Sequence, residues 1–185
     1  MEYPNIIGVC GYATSGKDEI ANILVENFGY IRLALADPLK DMATALGWDG
    51  SKDELPPCES CGMLQGRPLL QQFGTEAVRG SLGEDIWVNN ALRLMDLDNS
   101  KYVIPDVRFP NEADILVENG ARIWRVIRDG YDIGFNHASE ASIDKIDVDA
   151  TFFNSGTLEE LEKVVLSHMD NYNMLYNSIE ALNSQ

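Results

Sequence analysis

The sequence predicts an α/β fold, a mainly parallel sheet covered by helices on both faces. Two observations carry this expectation. Short apolar runs bounded by glycine, proline or polar residues read as buried strands, and stretches with apolar residues three and four apart read as helices. The two kinds alternate along the chain, as parallel strands joined by helical crossovers do. With 185 residues, 45% of them hydrophobic and 24% charged, the chain suits one folded domain with a single core.

The first strand is Asn5–Cys10, an apolar run between Pro4 and Gly11. From Gly16 to Phe28, the residues Ile20, Ile23, Leu24 and Phe28 recur at helical spacing, and Gly29 stops the helix. Tyr30–Leu35 is the second strand, and Asp37-Pro38 opens a helix running to about Leu46. The stretch 47–66 is rich in Gly, Pro, Cys and charge without a period; it reads as an insertion or mobile excursion. Helical patterning resumes over Pro68–Val78 and again over Glu84–Leu97. Lys101–Ile104 is the third strand, ending at Pro105-Asp106. Asn111–Asn119 is a helix closed by Gly120, and Arg122–Ile127 is the fourth strand. Residues 128–149 form a polar, lid-like segment broken by Gly130 and Gly134, and Thr151–Phe153 is a short fifth strand. Thr157 and Glu160 have capping-box spacing, each able to satisfy free N–H groups of a first helical turn, and Leu158, Leu161 and Val165 carry that last helix onto the core. The whole of 1–185 is read as one domain.

The formal net charge is −16, which repels nucleic acid and excludes it as a partner. No apolar run approaches the roughly 18–20 residues needed to cross a bilayer. Glu2, Pro4 and Asn5 interrupt any signal-peptide layout, so a cytoplasmic location is expected. Cys58 and Cys61 make a lone CxxC; Cys10, His137 and His168 lie far from it, and reduced, metal-free thiols are the expectation.

The sharpest signal is Gly11-Tyr-Ala-Thr-Ser-Gly16-Lys17-Asp18, a GxxxxGK pattern with Asp where Ser or Thr is usual. Such a loop wraps phosphates with its N–H groups pointing inward, and glycine permits the φ angles and the close backbone approach. Lys17 adds a cation, and the following helix aims its positive dipole end at the same anion. The flanks are right, a strand running into the loop and a helix leaving it. Asp18 could bind magnesium or one of its waters, though it also repels phosphate, and Glu19 adds a second acid. The loop is therefore expected to rely on Mg2+.

Several segments together resemble the bacteriophage-type deoxynucleoside monophosphate kinases, within the adenylate-kinase-like group of P-loop kinases. They are Gly16-Lys17-Asp18, Ala36-Asp37-Pro38-Leu39-Lys40, Leu70–Glu76 with Arg79, Gly83–Val88, Asp106–Glu112, and His137-Ala138-Ser139-Glu140. The likeness spans nearly the whole chain. Glu19 stands where the family often has Thr or Ser, and 47–66 matches none of its segments. The resemblance implies a three-layer P-loop NTPase fold with a five-stranded parallel sheet, an acceptor-binding region and a small lid. It places ATP over Gly11, Thr14, Ser15, Gly16, Lys17, Asp18 and Glu19, and the acceptor nucleotide near Leu39, Lys40, Arg79 and Trp87. A phage-encoded chain would work in the host cytoplasm, and a homodimer is compatible with the sequence.

The remaining residues take roles suited to phosphoryl transfer, which needs alignment and charge neutralisation. Arg108 follows a strand end, where ligands gather in open α/β sheets; it reads as a phosphate ligand, or as a surface ion pair with Glu112. Asp106 could hold magnesium through water or cap the next turn, and Asp37 could orient the acceptor or cap its helix. Lys40 and Arg79 are acceptor-phosphate ligands or solvated helix charges. Trp87 has Ala91 and Leu94 on its helix face and reads as core, with base stacking as the alternative. Arg125 and Arg128 are three apart on a strand and point to opposite faces, so only Arg128 is a candidate for the transferring phosphate. His137, Ser139 and Glu140 read as lid contacts to nucleotide or as a loop-stabilising cluster, and His168 reads as structural. The expected activity is transfer of the terminal phosphate of MgATP to a deoxynucleoside monophosphate. The alternatives are another small-molecule P-loop kinase, such as one acting on dephospho-coenzyme A, or a nucleotide-binding module without transfer. Lys17, Arg108 and Arg128 carry the catalytic expectation, with Asp18 and Asp106 at the metal.

Overall fold

The computed structural model describes residues 3–51, 57–60, 62, 64–128 and 142–183, and for Arg67, Tyr176, Ile179, Glu180, Ala181 and Asn183 the backbone only. The expected five strands are present: β1 (Ile6–Cys10), β2 (Ile31–Arg32), β3 (Tyr102–Val107), β4 (Arg122–Ile127) and β5 (Ala150–Phe153). They form one sheet in the order β2-β3-β1-β4-β5, and every pairing is parallel. The helices are α1 (Lys17–Phe28), α2 (Asp37–Ala45), α3 (Gly66–Gln71), α4 (Gly80–Leu82), α5 (Ile86–Leu94), α6 (Pro110–Glu118) and α7 (Leu158–Asn183), with a π-helical stretch Gln72–Arg79 between α3 and α4. The chain divides into two compact units. One is Met1–Leu33 with Met95–Gln185; the other is Ala34–Leu94.

In the first unit the sheet is covered on both sides. Ile7 and Val9 of β1, Val103, Trp124, Val126 and Phe152 pack with Ile20, Leu24, Leu161, Val165 and Met169 of α1 and α7. On the other face, α6 closes on Gly8: a Cβ built there would stand 2.8 Å from Ile123 Cδ1, 3.1 Å from Val107 Cγ2 and 3.5 Å from Leu116 Cδ1. The alternation of β1 is what feeds both cores. The capping box at α7 forms as expected. Thr157 N–H donates to Glu160 Oε2 at 2.8 Å, and Glu160 N–H donates to Thr157 Oγ1 at 3.2 Å. Leu161 and Val165 are buried, whereas Leu158, expected in the core, is 55% exposed.

Two strands depart from expectation. The second was expected over Tyr30–Leu35 but pairs only at Ile31 and Arg32, both exposed. Beyond Leu33 the Ala34 N–H turns to the Asp37 carboxylate at 3.2 Å, which starts the next helix instead of extending the ladder. The third strand was expected to end at Pro105, because proline has no N–H for a ladder. It continues to Val107. The register explains this: Gly8 pairs with Ile104 and Cys10 with Val107, so three steps on β3 oppose two on β1. Pro105 lies in that stretch; the Lys101 and Val103 carbonyls accept from Ile31 and Leu33, so position 105 comes after the last bond of the β2 edge ladder, and its missing donor costs the sheet only the continuation of that short edge.

The second unit is built from α2, α3, the π-helical stretch, α4 and α5. The expected helices over Pro68–Val78 and Glu84–Leu97 appear as Gly66–Leu82 and Ile86–Leu94, and the π geometry over Gln72–Arg79 was not foreseen. Most of 128–149 lies outside the described residues; its end holds a short 3-10 turn, Ile143–Lys145.

His168 of α7 stands edge-on to Trp124 and Phe152, with ring centroids 5.1 and 5.3 Å away. Burial lowers its pKa from the ordinary 6.5. Above that value the ring is neutral whether the chain is folded or not; below it the unfolded chain takes up the proton first, so folded stability falls with pH. The His168→Phe variant should lose this component. Urea midpoints compared between about pH 7 and about pH 5 should fall less steeply in the variant than in the wild type.

Candidate functional site

Residues 11–16 join the C-terminal end of β1 to the first turn of α1. Three of them have positive φ: Gly11 at 147°, Thr14 at 63° and Gly16 at 108°. Thr14 is the only non-glycine in that half of conformational space among the described residues. Such a residue is held there against a local cost of about 1–3 kcal/mol, a pattern that clusters at functional sites. Gly11 is required by space as well as by angle, since a Cβ would stand 2.5 Å from the Val126 carbonyl oxygen and 2.8 Å from Ser15 Oγ. Gly16 caps α1 with no side-chain hydrogen bond. The first N–H groups of the helix therefore face the loop without a capping side chain.

Lys17 folds its ammonium back over the loop and donates to the Tyr12 carbonyl at 2.5 Å, which the Ser15 N–H also reaches at 3.3 Å. Ser15 is 1% exposed, and its hydroxyl has no hydrogen-bond partner among the described residues. A buried, unpaired hydroxyl costs about 1–3 kcal/mol, which an oxygen-rich ligand can recover. Asp18 and Glu19 occupy the first turn of α1; Asp18 meets Arg32 at 3.2 Å, a pair too exposed to contribute much on its own.

The ends of the neighbouring strands surround this loop. Arg108 directly follows β3, and Arg128 directly follows β4 and is exposed. Glu112 is buried, and its carboxylate accepts the backbone N–H groups of Arg108 at 3.0 Å and Phe109 at 3.1 Å. That cap fixes the chain at the end of β3 and so holds the backbone that carries Arg108. Asp106 is half-buried in the bulged part of β3. Arg125 donates to the Ile143 and Ile146 carbonyls at 3.0 and 2.7 Å. Tyr12 donates its hydroxyl to Asp144 at 2.6 Å. A pocket of about 260 Å³ opens beside the loop, lined by Gly11, Tyr12, Arg125, Ile127, Ile143 and Asp144. Burial pushes the Cys10 thiol up, against the opposing pull of Arg125 and Lys17, so the sulfur behind the loop is a packed thiol and not a nucleophile.

The second unit carries the other expected residues. Asp37 accepts from Lys40 Nζ at 2.7 Å as well as from Ala34 N–H. Arg79 is only 7% exposed, within the π-helical stretch, so the reading of a solvated helix charge does not hold for it. Leu39 is buried against Gly74, where a Cβ would stand 2.5 Å from Leu39 Cδ2. Trp87 is buried and donates its indole N–H to the Gly74 carbonyl at 3.3 Å, which ties α5 to the π-helical stretch. His137, Ser139, Glu140 and Cys61 lie outside the described residues.

Among the described residues no three His, Cys, Asp or Glu side chains gather around a common point. Magnesium carried by a nucleotide needs only one or two carboxylates besides phosphate oxygens and water. Asp18, exposed at the start of α1, and Asp106, at the end of β3, are of the right chemistry for it. Sequence reasoning missed Asn154, which donates its side-chain amide to the Ser15 carbonyl at 2.9 Å across 139 positions of chain. It also missed the Tyr12–Asp144 bond. No local pattern marks either contact.

Comparison with known proteins identifies the family and the fold. The sequence model of the family described as deoxynucleotide monophosphate kinase matches residues 59–165. A protein of Acanthamoeba polyphaga mimivirus, provisionally named a deoxynucleotide monophosphate kinase, is 30% identical over 190 residues, spanning 90% of this chain and 96% of that one. The deoxynucleotide monophosphate kinase of Enterobacteria phage T4 is 34% identical over 99 residues, spanning 51% of this chain and 41% of its own length. Among solved structures, a gluconokinase from Sinorhizobium meliloti superposes with a TM-score of 0.54 at 14% identity, over 96% of this chain and 99% of that one. At that identity the likeness bears on fold alone, and the fold is the three-layer arrangement expected from the sequence.

The loop's dependence on glycine is directly testable. Gly11→Ala would press a methyl group on the Val126 carbonyl at a φ that alanine resists. Urea unfolding should show a loss of about 1–3 kcal/mol.

Proposed function

The chain belongs to the deoxynucleotide monophosphate kinase family, and from that premise we propose that residues 11–19 hold the phosphates of ATP while its terminal phosphoryl group passes to a deoxynucleoside monophosphate. The observation that carries this reading is the loop itself. Three positive φ angles turn the chain around a point directly in front of an uncapped helix, with one ammonium folded over it. Backbone N–H groups so arranged suit a chain of phosphate oxygens better than a base or a sugar.

The roles follow from charge. Lys17 leaves the Tyr12 carbonyl for the β- and γ-phosphate oxygens, and the N–H groups at the start of α1 hold the same groups in place. Arg108 and Arg128 neutralise the phosphoryl group in flight, where planar forks grip two oxygens at once. Magnesium, when bound with ATP, supplies further positive charge near Asp18 and Asp106. Lys40 and Arg79 take the acceptor's phosphate, and Asp37 orients Lys40. An oxygen of the acceptor's 5′-phosphate attacks the γ-phosphorus in line. The bond to the β–γ bridging oxygen breaks, and ADP leaves with that electron pair. The protein contributes alignment and electrostatic stabilisation, and no covalent intermediate is needed.

The test is a coupled assay of ADP release with ATP, magnesium and each deoxynucleoside monophosphate in turn. Acceptor-dependent ADP release is expected with at least one of them; its absence with all of them would overturn the reading. Lys17→Ala should lower turnover about 100-fold or more with an unchanged melting temperature. Arg79→Lys keeps the charge but loses the fork, and should raise KM for the acceptor about tenfold while leaving KM for ATP near the wild-type value.

A further inference from the structure

We propose that Asn154 is a positioning residue for the phosphate loop: its side-chain amide sets the Ser15–Gly16 peptide so that the Gly16 N–H faces the donor phosphates. The inference rests on the reading of residues 11–16 as the cradle for ATP.

Asn154 Nδ2 donates to the Ser15 carbonyl at 2.9 Å. No cis peptide occurs among the described residues, so the Ser15–Gly16 unit is trans. In a trans unit the C=O and the next N–H point in opposite directions. Fixing the Ser15 carbonyl on the Asn154 side therefore aims the Gly16 N–H away from Asn154, to the side where the loop curls. A flip of this peptide would turn a carbonyl oxygen toward the anion, and it could not occur without breaking the Asn154 bond.

A second observation comes from the glycine. At Gly16, with φ 108°, a Cβ would collide with Asn154 Nδ2. Asn154 thus fills the space that any other residue at position 16 would need. Glycine at the loop's end and asparagine at the end of β5 form one fitted pair.

The amide is also well anchored. Asn154 directly follows β5, and its own N–H donates to the Ile127 carbonyl at 2.7 Å, continuing the β4–β5 ladder past Phe153. The group that holds the loop is therefore carried by the sheet, where precision is greater than on a loop. Asn154 acts through the Ser15–Gly16 peptide, so its loss should weaken the donor and spare the acceptor.

The experiment uses the full chain. Asn154→Ala should raise KM for ATP and the calorimetric Kd for ATP by about tenfold, as expected for one hydrogen bond plus a freed peptide. KM for the acceptor should stay within about twofold of the wild type. In the unliganded variant the 15N-resolved amide signal of Gly16 should move. Asn154→Asp keeps the shape but puts a carboxylate against the Ser15 carbonyl. It should bind ATP more weakly than Asn154→Ala near neutral pH, and recover relative to wild type as pH falls toward the carboxyl range of about 4, where the introduced group regains a proton to donate. If Asn154→Ala does not fold, the isosteric Asn154→Asp carries the test. Unchanged ATP affinity with an unmoved Gly16 signal, or an equal rise in both KM values, would overturn the proposal. A wild-type chain that binds ATP but phosphorylates no deoxynucleoside monophosphate overturns the kinase reading alone, because ATP titration and the Gly16 signal still decide the role of Asn154. A wild-type chain that does not bind ATP overturns both.

Discussion

A polypeptide can grip a phosphate chain with its own backbone only where successive N–H groups converge, and converging them forces the chain through conformations that most side chains resist. Residues 11–16 pass through such conformations with two glycines and one strained threonine, which is what supports the proposed reading of this loop. What surrounds the loop serves to hold this shape. The Val126 carbonyl leaves room for nothing larger than Gly11, the Asn154 amide packs against Gly16, and the Tyr12 carbonyl draws in both Lys17 and the Ser15 N–H. The sheet below is a platform whose strand ends arrive where these supports are needed. β4 brings Val126, β5 brings Asn154, and β3 brings Asp106 and Arg108.

The same constraint resolves an apparent conflict of charge. A chain with net charge −16 is a poor electrostatic host for a polyanion. In the proposed reading the cradle is built from backbone amides, whose N–H dipoles act at short range and offer a polyanion favourable contacts without many cationic side chains. Three of the chain's cations stand at element ends, Lys17 at the start of α1, Arg108 after β3 and Arg128 after β4, and Arg32 offsets Asp18 in the first turn of α1.

How much of this was legible in the sequence follows from the range of each interaction. Strand β4 and the loop–helix junction at Gly16-Lys17 could be read because apolar period, glycine and capping chemistry act within a few residues. The capping box of Thr157 and Glu160 was legible for the same reason. The strand through Pro105 was cut short, because proline's missing donor argues locally for a break while the pairing that carries β3 on to Val107 is with β1, far off in sequence. Arg79 could not be told from a surface charge, since its burial comes from the packing of its unit and not from its neighbours in sequence. Asn154 left no trace at all, because its meaning lies in a contact with Ser15.

The bulge in β3 has a consequence for how the sheet serves its two cores. Before it, Val103 belongs with Ile7 and Val9 under α1 and α7; after it, Val107 lies against Gly8 on the side of α6. Residues four apart on a regular strand share a side, so the parity of β3 reverses between them. One strand thus wets neither surface with the wrong side chain, although its hydrophobic count would be out of step in a straight ladder. Proline is tolerated at the turning point because the β2 edge ladder makes its last bond at Val103, so the absent amide hydrogen shortens that edge and leaves the pairing with β1 intact.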